Sequence, residues 1–128
     1  MTKVFNSLND IQKYYDEKSN TYVFKEYGMY INLVVFNFDL NVKSNIEAWN
    51  IYARNINALN INAKDIFACY IDVNDIKAHD INAASIKANN IDYYAVCYAY
   101  NDIKCKSIKG RKHNAKHFVL DGTIETIK

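Results

Sequence analysis

The chain has 128 residues, half of them apolar, and 16 basic against 14 acidic side chains leave a formal charge of +2. One small folded domain fits that composition, while disorder, a collagen-like repeat (3 glycines, no proline) and an apolar stretch long enough to span a bilayer are excluded. Three cysteines (Cys69, Cys97, Cys105) with no CxxC pair speak against a disulfide framework and a zinc ribbon, and the opening MTKVFNSLND has no apolar leader core, so a cytoplasmic protein is expected.

Residues 1–43 are read as an N-terminal cap. Ser7-Leu-Asn-Asp10 has the pattern of a capping box with Asp in place of Glu, and Leu8, Ile11, Tyr14 and Tyr15 recur at helical spacing, which predicts a short helix. The following TYVFKEYGMYINLVVFNFDLNV alternates and is rich in aromatic and β-branched residues, with Gly28 placed to turn a hairpin. Phe36, Phe38, Leu40 and Val42 are expected on one face, leading the chain out of the cap.

Residues 44–122 are organised by a period of five. Isoleucine stands at 46, 51, 56, 61, 66, 71, 76, 81, 86 and 91, with Val96 in the next place. One helical residue turns about 100°, so a step of five would scatter these side chains around a helix; no single helix is compatible with the pattern. Two places after each isoleucine comes a small residue, from Ala48 to Ala88 with Val73 among them, and a spacing of two points both to one side of an extended segment. Asn or Asp precedes most of the isoleucines, with Tyr70, Ser85 and Ala95 as exceptions, and suits a chain that turns every five residues. Short strands that keep turning wind into a solenoid, with coil hydrogen-bonded to coil.

The unit, as in NIYARNINALNINAKDI, resembles that of the pentapeptide-repeat proteins, with one departure: there the small residue comes two places before the large one, and here it comes two places after. The resemblance covers Asn45 to Tyr98 and implies an all-β, right-handed quadrilateral parallel β-helix with four five-residue sides per coil. At twenty residues per coil, eleven units make about 2.75 coils, a rise of about 13 Å. Columns drawn at that step align Glu47, Phe67 and Lys87 in one line and Trp49, Cys69 and Asn89 in another. Inside, they align Ala53 with Val73 and Tyr93, and Ala58 with Ala78 and Tyr98. An irregularity near residues 93–102 is expected, because Ile103 comes seven residues after Val96 and the tyrosines at 93 and 98 stand where alanines should point inward. Ala115, Phe118 and Leu120 read as a second cap, and 123–128 as a C-terminal tail.

For function, Trp49, Phe67 and Tyr70 gather apolar surface on outward positions. Two readings of them stand: the N-terminal segment packs Ile11, Tyr14 and Tyr15 over them, or they meet a protein partner. Residues 101–128 carry seven basic and three acidic groups, and Lys104, Lys106, Lys109, Arg111, Lys112 and Lys116 are the candidates for contact with an anionic surface. Successive units face successive sides, so these charges should ring the last coil, and nucleic acid is not the expected partner. No catalytic constellation is present: His79 beside Asp80 reads as surface, and His113 and His117 are spaced for a helix where extended chain is expected. Cys105 takes an inward place, while Cys69 and Cys97 are read as outward. The expectation is a non-enzymatic bacterial or phage β-solenoid without cofactor, metal, membrane or small-molecule substrate. It would present a rigid surface to a protein partner, or to its own copy through a solenoid end. The family resemblance implies an alternative, a DNA mimic that binds a type II topoisomerase.

Overall fold

Each five-residue unit forms one short strand whose isoleucine, and the small residue two places on, are buried, as Ile46 with Ala48, Ile61 with Ala63 and Ile76 with Ala78 show. A computed structural model describes residues 1–127 and shows these strands wound into a β-solenoid of about 5 turns with stacked parallel strands. The long strands Asp75–Lys87 and Asn90–Cys105 run continuously around the corners.

The vertical step is fifteen residues, which corrects the four-sided expectation to three sides per coil. On the first face Ile46, Ile61, Ile76, Ile91 and Ile108 lie one above another. The second stacks Leu33, Ile51, Ile66, Ile81 and Cys97, and the third Leu40, Ile56, Ile71, Ile86, Ile103 and Ile124. These are the Ile46, Ile51 and Ile56 faces. A period of five is common to prisms of any number of sides, and the corner decides between them. At each corner the backbone stays paired to the coil below: Lys64 N–H donates to the Trp49 carbonyl, Cys69 N–H to Arg54 and Asn74 N–H to Leu59, at 2.6, 2.7 and 2.7 Å.

Two single-residue bulges, between Tyr93 and Val96 and between Ala99 and Asp102, absorb the irregularity, since Ala78 pairs Tyr93 but Asp80 pairs Val96, and Ala83 pairs Ala99 but Ser85 pairs Asp102. The first bulge reverses three sequence assignments. Cys97, not Val96, turns inward; Val96 is exposed; and Tyr98 lies on the outside beside Asn82 while Ala99 takes the buried place. Tyr93 is buried as expected, but in the file Ala48, Ala63, Ala78, Tyr93, Gly110.

At the N-terminus the helix is a 3-10 turn, Leu8–Tyr14, that buries Ile11 and Tyr14. The capping box does not form as expected: Ser7 makes no side-chain cap bond, and the Asp10 carboxylate accepts the N–H of Asn6, one residue before the cap, at 3.1 Å. Lys25–Glu26 pairs antiparallel with Met29–Tyr30. Tyr27 (φ 53°) and Gly28 (φ 78°) supply the two left-handed positions of a tight hairpin turn. Leu40 and Val42 are buried, but Phe36 is exposed, because the strand Asn32–Val35 ends just before it.

Parallel stacking begins before residue 44. Thr2–Val4 pairs with Asn32–Val35, which lies on Asn50–Ala53, and Thr21–Val23 lies on Asn45–Glu47. The cap is thus itself partly coiled, closed by a cluster of Phe5, Tyr14, Tyr22 and Phe24 rings. At the other end Thr123–Thr126 is not a tail but a strand on Asn90–Cys105, side by side with Ser107–Gly110 and Lys116–Val119. These three strands pair on one side only among the described residues.

Candidate functional site: the aromatic face

A rigid prism turns sequence positions into vertical files, and the outward residue after each isoleucine forms one file per face. On the Ile46 face the file above Val23 is Glu47, Asn62, Lys77, Asp92 and Lys109; on the Ile56 face it is Asn41, Asn57, Asp72, Lys87, Lys104 and Glu125. Both are polar and mixed in sign. The Ile51 face differs, carrying Val4, Val34, Tyr52, Phe67, Asn82, Tyr98 and Phe118 in line. Parallel strands stand about 4.8 Å apart, a separation at which neighbouring rings meet face to face. The Tyr52 and Phe67 rings stack with centroids 5.2 Å apart and planes at 4°, and those of Tyr98 and Phe118 lie 4.9 Å apart. Val4, Phe67 and Phe118 remain exposed (65%, 42% and 44%). Asn82 interrupts the file and leaves a notch of about 180 Å³ between Phe67 and Tyr98, with Val96 on its rim.

Of the three aromatic residues singled out from sequence, Phe67 lies at the centre of this file, whereas Trp49 and Tyr70 do not share its column. Trp49 stands on the edge preceding the Ile51 face and Tyr70 opens the Ile56 face above Asn55. All three are exposed. The N-terminal segment does not cover them: Ile11 and Tyr14 are buried in the cap cluster, and Tyr15 packs on Tyr22 at 5.0 Å. Tyr52, Tyr98 and Phe118 were missed in the sequence. The signal was there, since Tyr52 and Phe67 are fifteen apart, but a twenty-residue column separates them.

The edge between the Ile46 and Ile51 faces brings aromatic rings and basic side chains together. Lys64 Nζ lies over the Trp49 ring at 5.0 Å, the His79 and Tyr94 rings are 5.1 Å apart, and the Arg111 guanidinium lies 5.7 Å from the Tyr94 centroid. The other basic candidates spread around the upper coils: Lys104 on the Ile56 face, Lys106 at the next corner, Lys109 on the Ile46 face and Lys116 at the start of the Ile51 face. They form no single stripe.

His117 does not pair with His113; its Nδ1 meets the Tyr93 hydroxyl at 2.7 Å. Among the described residues no group of three or more His, Cys, Asp or Glu is placed to hold a metal ion. Burial, with the neighbouring Cys105 thiol adding to it, pushes the Cys97 thiol up to about 12, and burial raises Cys105 as well, so both are held as neutral packing groups. No helix of the described residues is long and apolar enough to cross a membrane. Comparison with protein-family models, with curated proteins and with solved structures returned no match.

Proposed function

We propose that the chain is a non-catalytic interaction module, a three-sided relative of the pentapeptide-repeat proteins, whose working surface is the Ile51 face. The observation that carries this reading is the aromatic file itself: paired, partly exposed rings in line on one face of a prism, where the corresponding files of the other two faces are polar over the repeat. Exposed rings immobilised by a β-framework offer apolar contact area at little cost in side-chain entropy, and such anchors dominate protein interfaces. The notch at Asn82 supplies a recess for one side chain of the partner. A duplex mimic that binds a topoisomerase needs carboxylates along the exterior, and the mixed signs of the two polar files favour a protein-binding face over that reading.

The test is site-specific photocrosslinking in the native cell. A benzoylphenylalanine at position 82 should give one discrete adduct, with a protein partner or a second copy of the chain, that disappears with Phe67→Ser and Tyr98→Ser. The same probe at position 72, on a polar face, should give none. Equal adducts from both faces, or none from position 82, would remove the proposal.

A further inference from the structure

A second feature stands apart from the aromatic face. Below the edge that carries Trp49 runs a cleft of about 240 Å³, floored by the chain at Ala48, Ala63 and Ala78. These alanines are vertical neighbours in consecutive coils, so the floor extends over about two strand spacings, roughly 10 Å. Asn62 and Lys77 rise along one wall, and Trp49, Lys64 and His79 along the other.

Both ends are closed by side chains held in place. At one end is Tyr30, whose hydroxyl donates to Glu47 Oε1 at 2.7 Å. At the other, Arg111 reaches down the solenoid: its Nε lies 2.6 Å from Asp92 Oδ1 and its Nη2 donates to the Ala78 carbonyl at 3.0 Å. That reach is a product of the fold, because the alanine file ends at Tyr93 and Gly110, which places Arg111 at the corner directly above the cleft. Its Nη1 has no partner among the described residues.

The lining is electropositive. Lys64, Lys77 and Arg111 face the cleft, and neither lysine forms an ion pair among the described residues. The nearby carboxylates lie outside the lining: Asp92 is paired with Arg111, while Glu47 accepts the neutral Tyr30 hydroxyl and keeps its charge at that end. Three cationic groups thus face two neighbouring carboxylates, which leaves the cleft a positive balance, and neither ammonium group is held in an ion pair among the described residues. A carboxylate offers two acceptor oxygens, whereas a phosphate monoester carries about −1.5 to −2 at pH 7 and offers three, one for each of the three cationic groups. Trp49, 47% exposed beneath the Lys64 ammonium, adds a flat ring face.

We infer that this cleft binds a small organic phosphate monoester, with Lys64, Lys77 and Arg111 on the phosphate and the planar part of the ligand against Trp49. Each group answers one part of such a ligand: two ammonium groups on long flexible stems and a guanidinium held by Asp92 meet the dianion, and the indole meets its ring.

Trp49 is the chain's single tryptophan, so its fluorescence reports on the cleft alone. Purified full-length protein is titrated at low salt with adenosine monophosphate, inorganic phosphate, adenosine and glucuronate. Adenosine monophosphate should change the emission saturably at micromolar to low millimolar concentration, inorganic phosphate should compete for the site more weakly, and adenosine and glucuronate should bind at least tenfold more weakly than the monophosphate. Lys77→Gln, on an exposed outward position, should weaken monophosphate binding about tenfold or more, as expected for loss of a charge-assisted contact, with the melting temperature unchanged. No saturable change with the monophosphate at about 10 mM, equal affinity for adenosine, or an unaltered Lys77→Gln titration would overturn the site. Glucuronate binding as tightly as the monophosphate would overturn the assignment to phosphate.

Discussion

Gly110 shows how narrowly a single position can be determined. Tyr93 fills a place that alanine holds in the coils below, and its ring extends towards the next coil, where a Cβ on residue 110 would lie 2.8 Å from both Cζ and Oη of that ring and closer still to Ala115 Cβ. Glycine is required there by space; φ is not in the left-handed region. Gly110→Ala is therefore expected to destabilise the protein by about 1–3 kcal/mol in urea unfolding, in the range of overpacking a filled core, and unchanged stability would contradict the packing. The anomaly of Tyr93 was legible in the sequence because a large ring stood where a methyl belonged. The exchange of Val96 for Cys97 was not: both are apolar and of modest size, so only the position of the bulge decides which one turns inward. Counting placed two extra residues between Val96 and Ile103, but the first of them comes directly after the wide Tyr93 ring.

At the scale of single elements, the polar residues before the isoleucines bond vertically, not only locally. Along the Ile46 face, Asn60 Nδ2 donates to Asn45 Oδ1 at 2.9 Å, Asp75 N–H to Asn60 Oδ1 at 3.2 Å, Asn90 Nδ2 to Asp75 Oδ1 at 2.9 Å and Ser107 Oγ to Asn90 Oδ1 at 2.7 Å. The sequence identified these residues by their turn chemistry and could not show a ladder that exists only once the coil length is known. Asn60→Ala removes two of these bonds and should cost about 1–2 kcal/mol, whereas Asn62→Ala, two residues on and without a side-chain bond among the described residues, should stay within about 0.5 kcal/mol. Equal effects in thermal unfolding would contradict the ladder. The cap element carries a pH dependence. Burial, then the Glu26 hydrogen bond at 2.7 Å, pushes Tyr14 up to about 12, while the Tyr14 hydroxyl and then Lys3 hold Glu26 below its ordinary value. A raised tyrosine stabilises the cap fully below its unfolded value near 10, and that contribution is lost as pH rises through about 12. A lowered carboxylate contributes above its unfolded value of about 4.3 and loses that contribution as pH falls. Amide signals of residues 8–14 should therefore report loosening at both extremes of pH. Tyr14→Phe should blunt the acid response, and an identical acid titration in that variant would refute the contact.

On the scale of the whole molecule, the winding architecture was readable from the period of five, because no helix accommodates that step with one apolar side. The number of sides was not readable from that period, since it depends on the corner. A second period did encode it: Tyr70 and Ser85, both exceptions to the Asn/Asp rule, are fifteen apart, as are Tyr52 and Phe67. The structure also predicts a gradient of stability. Asp75–Lys87 and Asn90–Cys105 are paired above and below, whereas Ser107–Gly110, Lys116–Val119 and Thr123–Thr126 are paired on one side only. Repeat structures fray from such ends, so amide hydrogen exchange should be fastest in these last three strands and slowest in the middle of the tower. Uniform protection throughout would contradict the unpaired edge. The fifteen-residue coil also governs which changes of length the fold tolerates. Deleting fifteen residues from the middle shortens the tower by one storey and leaves each remaining residue on its own wall. A five-residue deletion keeps every isoleucine inside yet swings the upper part round by a third of a turn, setting Tyr98 and Phe118 over a different wall from Tyr52 and Phe67.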